Sequence, residues 1–202
     1  FQNNEDIHKS TAAKVFNVPL EEVTKEQRSN AKTVNFGIIY GQSAFGLSQN
    51  LGISRTEAKQ IIDSYFAQYS TIKSYMDTAV KNARENGYVE TIMQRRRYLP
   101  DINSANAVVR GFAERNAVNA PIQGSAADIV KLAMVAVDKA MTAANVQSRM
   151  ILQVHDELVL EVREDLVDQV REEIRGHMSG AANLDVPLLV EVGVGNNWDE
   201  AH

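Results

Sequence analysis

Four residues of the stretch RSNAKTVNFGIIYGQ fall in file at intervals of four: Arg28, Lys32, Phe36 and Tyr40. That spacing stacks side chains on one face of an α-helix, drifting only slowly around it. Two cations could hold an anion there, and two aromatics offer flat apolar surface. Ala31, Val34, Ile38 and Ile39 supply an opposite, apolar face able to seat the helix on a core. A second chemical group, His155, Asp156 and Glu157, stands between two apolar runs in RMILQVHDELVLEV, Arg149 to Val162. Such runs predict strands buried on both faces or against a helix. Adjacent carboxylates at the tip of a buried hairpin repel each other, and burial penalises their charge. A divalent cation would relieve both penalties, and Mg²⁺ favours hard carboxylate oxygens. An ordinary charged hairpin turn accounts for the same three residues, so on this segment alone both readings stand. Two carboxylates are too few for an all-protein cage. Mg²⁺, however, commonly takes one or two carboxylates and completes its shell with water and substrate phosphates. The hairpin is therefore a candidate half-site for phosphoryl chemistry.

The helical stripe can be laid against a nucleotide. Arg28 and Lys32, near the helix N-terminus, suit phosphates, with help from the helix dipole. Phe36 and Tyr40, one and two turns further on, suit a sugar and a base. From Arg28 to Tyr40 is on the order of 18 Å at the α-helical rise, a plausible span for a triphosphate plus nucleoside. A third group, Arg115, Asn119 and Gln123, offers hydrogen-bond donors. The minor-groove edge of every base pair presents an acceptor, so donors placed there test pair geometry without reading sequence. An ordinary surface pair would use Arg115 and Asn119 equally well.

Several elements must position these groups. DIHKSTAAKVF, residues 6–16, reads as a short helix beginning near Asp6 and broken at Val18-Pro19. Thr24 with Gln27 forms a capping-box start for the striped helix, which should end near Gly41. GQSAFGLSQNLG, 41–52, reads as a loop. Ser54 with Glu57 opens a long amphipathic helix carrying Ala58, Ile61, Ile62, Tyr65 and Phe66, and another helix over 71–86 stops at Asn86-Gly87. YVETIMQRRRYL, 88–99, suggests a small hairpin. Helix resumes over 104–118, Pro121 interrupts it, and Ser125 with Asp128 is expected to cap a further helix to Ala144. After the Arg149–Val162 strands come an acidic helix near 164–178, a strand VPLLVEV and the terminal GNNWDEAH. The expected fold is α+β, with a mainly helical first two thirds and a mixed last third.

The 202 residues fit one domain or two small subdomains, and 44% hydrophobic content is ordinary for a globular chain. No internal repeat is visible, no run of about 18 apolar residues suggests a membrane span, and no secretory signal pattern opens the chain. It starts at Phe1 in a polar run, and a piece of a longer protein is expected. Zero Cys excludes disulfides and thiolate metal sites and fits a cytoplasmic location. The net charge of −5 hides an asymmetry. Residues 151–202 hold 12 Asp and Glu against 3 Arg, whereas residues 1–150 hold 14 against 18 Arg and Lys. A basic surface for a polyanion beside an acidic part able to hold metal fits that division, as do two differently decorated solvent faces.

The R-x₃-K-x₃-F-G-x₂-Y-G pattern of Arg28–Gly41 resembles motif B of family A DNA polymerases, the fingers helix that faces the incoming nucleotide. QVHDELVLEV resembles motif C of their palm. DIHKSTAAKVF, ERNAVNAPIQGSAADI and VPLLVEVGVGNNWDEAH are also similar to bacterial members, so the resemblance covers essentially the whole chain. It implies a right-hand polymerase fold in part, with helical fingers over 1–105 and part of an antiparallel-sheet palm over 106–202. It implies DNA-directed DNA polymerase activity, nucleotidyl transfer from a dNTP to a primer 3′-OH with two Mg²⁺ ions, on a DNA primer–template, by a cytoplasmic monomer with no membrane partner. Asp156 would bind the catalytic metals with Glu157 secondary, and His155 would lie near the primer terminus. Lys32, Arg28 and His8 would contact the triphosphate, Phe36 the sugar, and Tyr40 the templating pair. Arg115, Asn119 and Gln123 would touch the primer–template. No D-Y-S-Q-x-E-like motif A, source of a second metal-binding Asp in the family, occurs in these 202 residues. The chain alone is therefore expected to be inactive.

Some features compete. GQSAFG spaces as G-x-S-x₂-G where a hydrolase nucleophile elbow needs G-x-S-x-G after a strand. Arg95-Arg96-Arg97 suits phosphate-backbone contact or a solvated turn better than a localisation signal. His177 and His202 lack partners at ligand spacing and read as surface residues. A metal-dependent phosphohydrolase built on His155, Asp156 and Glu157 would leave the helical stripe unexplained. A non-catalytic nucleic-acid module would bind DNA without the Asp156 carboxylate. A single-subunit RNA polymerase shares the Lys and Tyr of the helix and would be told apart by sugar choice.

Overall fold

The computed structural model describes residues 5–201, so the expectation for His202 lies outside the described residues. The described residues pack as two compact units that divide between Ile122 and Gln123.

The first unit is helical. α1 (Ile7–Val15) starts where Asp6 Oδ1 accepts from the His8 and Lys9 amides. α2 (Lys25–Ile39) and α4 (Arg55–Gln68) open with the expected capping boxes. Thr24 and Gln27 exchange bonds of 2.9 and 3.1 Å, and Ser54 and Glu57 bonds of 2.9 and 3.2 Å. The expected loop over 41–52 is instead mostly helix, α3 (Ala44–Leu51). Ser43 caps its N-terminus and Gly52, at φ +65°, ends it, while Leu47 buries completely. Ser43 and Gly52, which suggest a loop, serve as the caps of a short helix, with Gly46 and Ser48 inside it. α5 (Ser70–Asn86) ends at Gly87, φ +79°, and leads into the hairpin of β1 (Tyr88–Glu90) and β2 (Arg96–Tyr98). One core gathers Val34, Ile38, Leu47, Ala58 and Tyr65 beneath α2. Another joins Ala83, Val89, Leu99 and Ile102 to the first turns of α6 (Ala107–Ala143) through Ala113, Ala117 and Ala120.

α6 corrects the expectation of a break at Pro121. The helix runs unbroken over 37 residues with Pro121 inside it, and Ser125 and Asp128 are interior residues, not caps. An interior proline costs about 3 kcal/mol. Dense packing offsets that cost on either side, by Ala117 and Ala120 before Pro121 and by Val137 and Met141 after it. By length and composition α6 could cross a membrane. Its longest uncharged run, 116–127, is nevertheless only 12 residues, well short of the ~20 a span requires.

In the second unit β3 (Ser148–Val154) and β4 (Glu157–Val162) form an antiparallel pair with a register shift between Met150 and Leu152. Met150, Leu158, Leu160 and Val162 pack onto Val137 and Met141 of α6 and onto Val170 and Ile174 of α7 (Val167–Ser179). Of the two expected settings, buried on both faces or against a helix, the strands take the second, since Ile151 and Leu152 on the other face are 48% and 46% exposed. Two strands laid on two helices cover one face only. The expected strand VPLLVEV is a second correction: residues 186–192 form no ladder, and Leu189 is 78% exposed. An alternating apolar run becomes a strand only beside a partner edge, and β3 and β4 pair solely with each other among the described residues. α8 (Trp198–Ala201) closes the described chain.

Candidate nucleotide-binding site

The four-residue stripe survives folding as a surface. Ala31, Val34, Asn35 and Ile38 bury one side of α2, leaving Arg28, Lys32, Phe36 and Tyr40 exposed on the other. Phe36 and Tyr40 lie nearly parallel, 13° apart with centroids at 6.1 Å. α1 adds His8, whose ring centroid is 5.7 Å from that of Phe36. Arg28 Nε donates to Asp6 Oδ2 at 2.7 Å, so the residue capping α1 also anchors the first cation of α2. Arg28 foremost, then the Lys9 amide, holds the Asp6 carboxyl below the usual carboxylate range. His8 lies below the usual imidazole range. Burial is the main cause, and Arg28 and Lys32 push the same way against the opposing Asp6. Lys32 forms no ion pair with the described residues. The five residues expected to meet a nucleotide are thus brought together on two packed helices.

The glycines of the pattern have physical reasons. Gly41 follows the C-cap Tyr40 at φ +75°, and a Cβ there would stand 2.9 Å from Arg115 Cγ. At Gly37 a Cβ would meet the Gln42 side-chain oxygen, so the Gln42 amide folds back over the helix end. Arg115 of α6 is therefore packed beside the Tyr40–Gly41 end of α2, its guanidinium 5.9 Å from the Phe112 ring centroid. Asn119 follows one turn later, its Oδ1 buried without a hydrogen-bond partner among the described residues. Gln123, four residues further along the unbroken helix, is exposed.

His155 and Asp156 form the two-residue turn between Val154 and Glu157, the closing pair of the β3–β4 ladder. His155 adopts φ +51°, a left-handed conformation that histidine enters more readily than most residues. Its carbonyl accepts from Gln153 Nε2 at 2.6 Å. His155 and Asp156 are exposed and Glu157 is half-buried, so the tip is not the buried one that its apolar flanks suggest. Hard oxygens from Asp156 and Glu157 suit a divalent cation that completes its shell with water and phosphate. Among the described residues no cluster of three or more His, Asp or Glu is close enough to enclose a metal by itself.

Of the competing features, Arg96 is held by Glu90 at 2.8 Å and lies 4.4 Å from the Tyr88 ring centroid, which ties that cation to its own hairpin. His177 is exposed in the last turn of α7. GQSAFG opens α3 and follows a helix, not a strand.

A surface carrying two cations and stacked aromatics on one helix and a histidine on the next has the chemistry to take an aromatic anion such as a nucleotide. The family model for DNA polymerase family A matches residues 1–200, and the chain belongs to that family. Among curated relatives, DNA polymerase I of Pseudomonas aeruginosa is 59% identical over 202 residues, all of this chain and 22% of the relative. That of Streptococcus pneumoniae serotype 4 is 54% identical, again over the whole chain and 23% of the relative. The POL domain of Pol1 from M. smegmatis, solved in complex with DNA primer-template and dNTP, is 48% identical and matches with a TM-score of 0.95. That match covers 99% of this chain and 35% of the solved one. The chain thus spans less than a quarter of the length of the curated relatives named here.

Proposed function

We propose that the chain contributes to a DNA-directed DNA polymerase, with fingers over 1–105 and part of the palm over 106–202. The observation that carries this is the single exposed face built by His8, Arg28, Lys32, Phe36 and Tyr40, ordered cation to aromatic along α2. Arg28 and Lys32 bind the triphosphate of a dNTP, with His8 as a further donor. Phe36 lies against the sugar and Tyr40 beside the templating pair. Arg115, packed next to Tyr40, together with Asn119 and Gln123, contacts the primer–template, and His155 lies near the primer terminus. In the reaction the primer 3′ hydroxyl gives up its proton to solvent, its oxygen bonds to the α-phosphorus, and the bond from that phosphorus to the departing pyrophosphate breaks. Such transfer asks a protein chiefly for positioning and charge neutralisation. Asp156, seconded by Glu157, would hold Mg²⁺. Two such ions, when bound, neutralise the attacking and leaving oxygens. The absence of Cys fits a cytoplasmic protein, and the enzyme is taken to work as a monomer.

The test is primer extension by a chain lengthened upstream through motif A. Asp156→Ala should lose incorporation by several orders of magnitude while primer–template affinity is nearly kept. Full activity in that variant would remove Asp156 from its role.

A further inference from the structure

Beneath the nucleotide face lies a buried polar chain that neither the stripe nor the family pattern accounts for. Thr11 of α1 is fully buried and Asn35 of α2 is 5% exposed. The Thr11 hydroxyl donates to Asn35 Oδ1 at 3.1 Å and lies 3.3 Å from the hydroxyl of Tyr69, the C-cap of α4. Asn35 Nδ2 lies 3.0 Å from His8 Nδ1. We infer that Asn35, held by Thr11 and Tyr69, is a positioning residue that sets which nitrogen of His8 carries the proton, so that Nε2–H is offered as a neutral donor to a phosphate oxygen.

The logic is one of donors and acceptors. A hydroxyl has one hydrogen, and that of Thr11 is committed to Asn35 Oδ1, so Thr11 can only accept from Tyr69. With its oxygen engaged, Asn35 turns its amide nitrogen to His8, and an amide nitrogen only donates. His8 Nδ1 must then be the bare, accepting nitrogen, and the single proton of neutral imidazole sits on Nε2, on the side of the ring away from Asn35. Every hydrogen in the series Tyr69, Thr11, Asn35, His8 points the same way. Placing a proton on Nδ1 would set two donors 3.0 Å apart unless Asn35, Thr11 and Tyr69 all reversed together. The charged groups around His8 weigh on the same balance: Arg28 and Lys32 of α2 oppose a third positive charge, and Asp6 at the start of α1 favours it. His8 thereby contributes direction to anion binding while the two cations contribute charge.

The phosphate destination rests on the nucleotide reading above, whereas the tautomer does not, and the experiment separates them. Long-range proton–nitrogen spectra of the His8 ring in the ligand-free 202-residue chain should show the Nε2–H tautomer, with a titration midpoint below that of a free imidazole. Asn35→Asp places an acceptor against Nδ1 and should move the proton there and raise the midpoint. If that variant does not fold, Thr11→Val and Tyr69→Phe remain. Each frees the Asn35 amide to turn and should produce mixed tautomers. A wild-type ring with Nδ1–H or a free mixture overturns the inference, and so does a pure Nε2–H state in Thr11→Val. Adding a deoxynucleoside triphosphate should then shift the Nε2 resonance. An Nε2–H tautomer indifferent to triphosphate would leave the relay standing and sink the phosphate role.

Discussion

Gly41→Ala tests whether Arg115 is built into the C-terminal end of α2. Two costs meet at that position. An L-residue in the left-handed region that Gly41 occupies, φ +75°, loses roughly 1–2 kcal/mol. The new methyl would also stand 2.9 Å from Arg115 Cγ and 3.4 Å from Cδ, near the stem of the side chain where little slack exists. Overpacking of that kind typically costs about 1–3 kcal/mol. Gly52 supplies the control, because it sits at φ +65° and a methyl added there would meet nothing within 4 Å. Urea unfolding followed by circular dichroism should therefore show Gly52→Ala losing about 1–2 kcal/mol and Gly41→Ala roughly 2–5 kcal/mol. Removing the arginine beyond its Cβ, which stands 3.9 Å away, eliminates the collision but not the backbone strain. In an Arg115→Ala background, Gly41→Ala should thus cost only what Gly52→Ala does. Equal losses from Gly41→Ala with and without the arginine would refute the packing, and with it the coupling of Arg115 to Tyr40.

Tyr65 is 3% exposed, and its hydroxyl is pushed up to about 12, first by burial and then by Tyr69. The folded chain holds that proton more tightly than the unfolded one, in which tyrosine titrates near about 10. Its contribution to stability is complete below about pH 10 and is lost as pH rises toward 12. Tyr65→Phe should flatten the alkaline limb of a stability–pH curve; an unchanged limb would exclude the burial argument. Thr24→Ala removes the capping box of α2 and should cost about 1 kcal/mol in urea unfolding, with faster amide exchange at Gln27. Unchanged exchange there would show that the first turn is held by packing instead.

What the sequence discloses follows how local each feature is. The capping boxes at Thr24 and Ser54 and the stop at Gly87 each depend on residues within one helical turn, and all three stand as read. The stripe from Arg28 to Tyr40 needs only helical periodicity. Errors arise where a neighbour decides the outcome. Pro121 would end an isolated helix, yet packing on both flanks carries α6 through it. VPLLVEV has the alternation of a strand but no edge to join among the described residues. α3 escapes notice although Ser43 and Gly52 bracket it as cap and stop, because eight residues with two glycines nearby look like a loop to any composition count.

Asn35 escapes for a different reason, and its signal is present in the sequence. The buried positions of α2 are Ala31, Val34, Asn35 and Ile38, the spacing of a single core-facing side. A polar residue at an apolar position of a periodic helix must find a hydrogen-bond partner or lose roughly 1–3 kcal/mol. Periodicity therefore demands a partner for Asn35, but it cannot name one, since Thr11 is 24 residues away and Tyr69 58 residues from Thr11. The exposed side of α2 is readable because spacing alone selects it. The buried side acquires its direction only when α1 and α4 close over it, and that closure is what turns an asparagine among aliphatics into a constraint on His8.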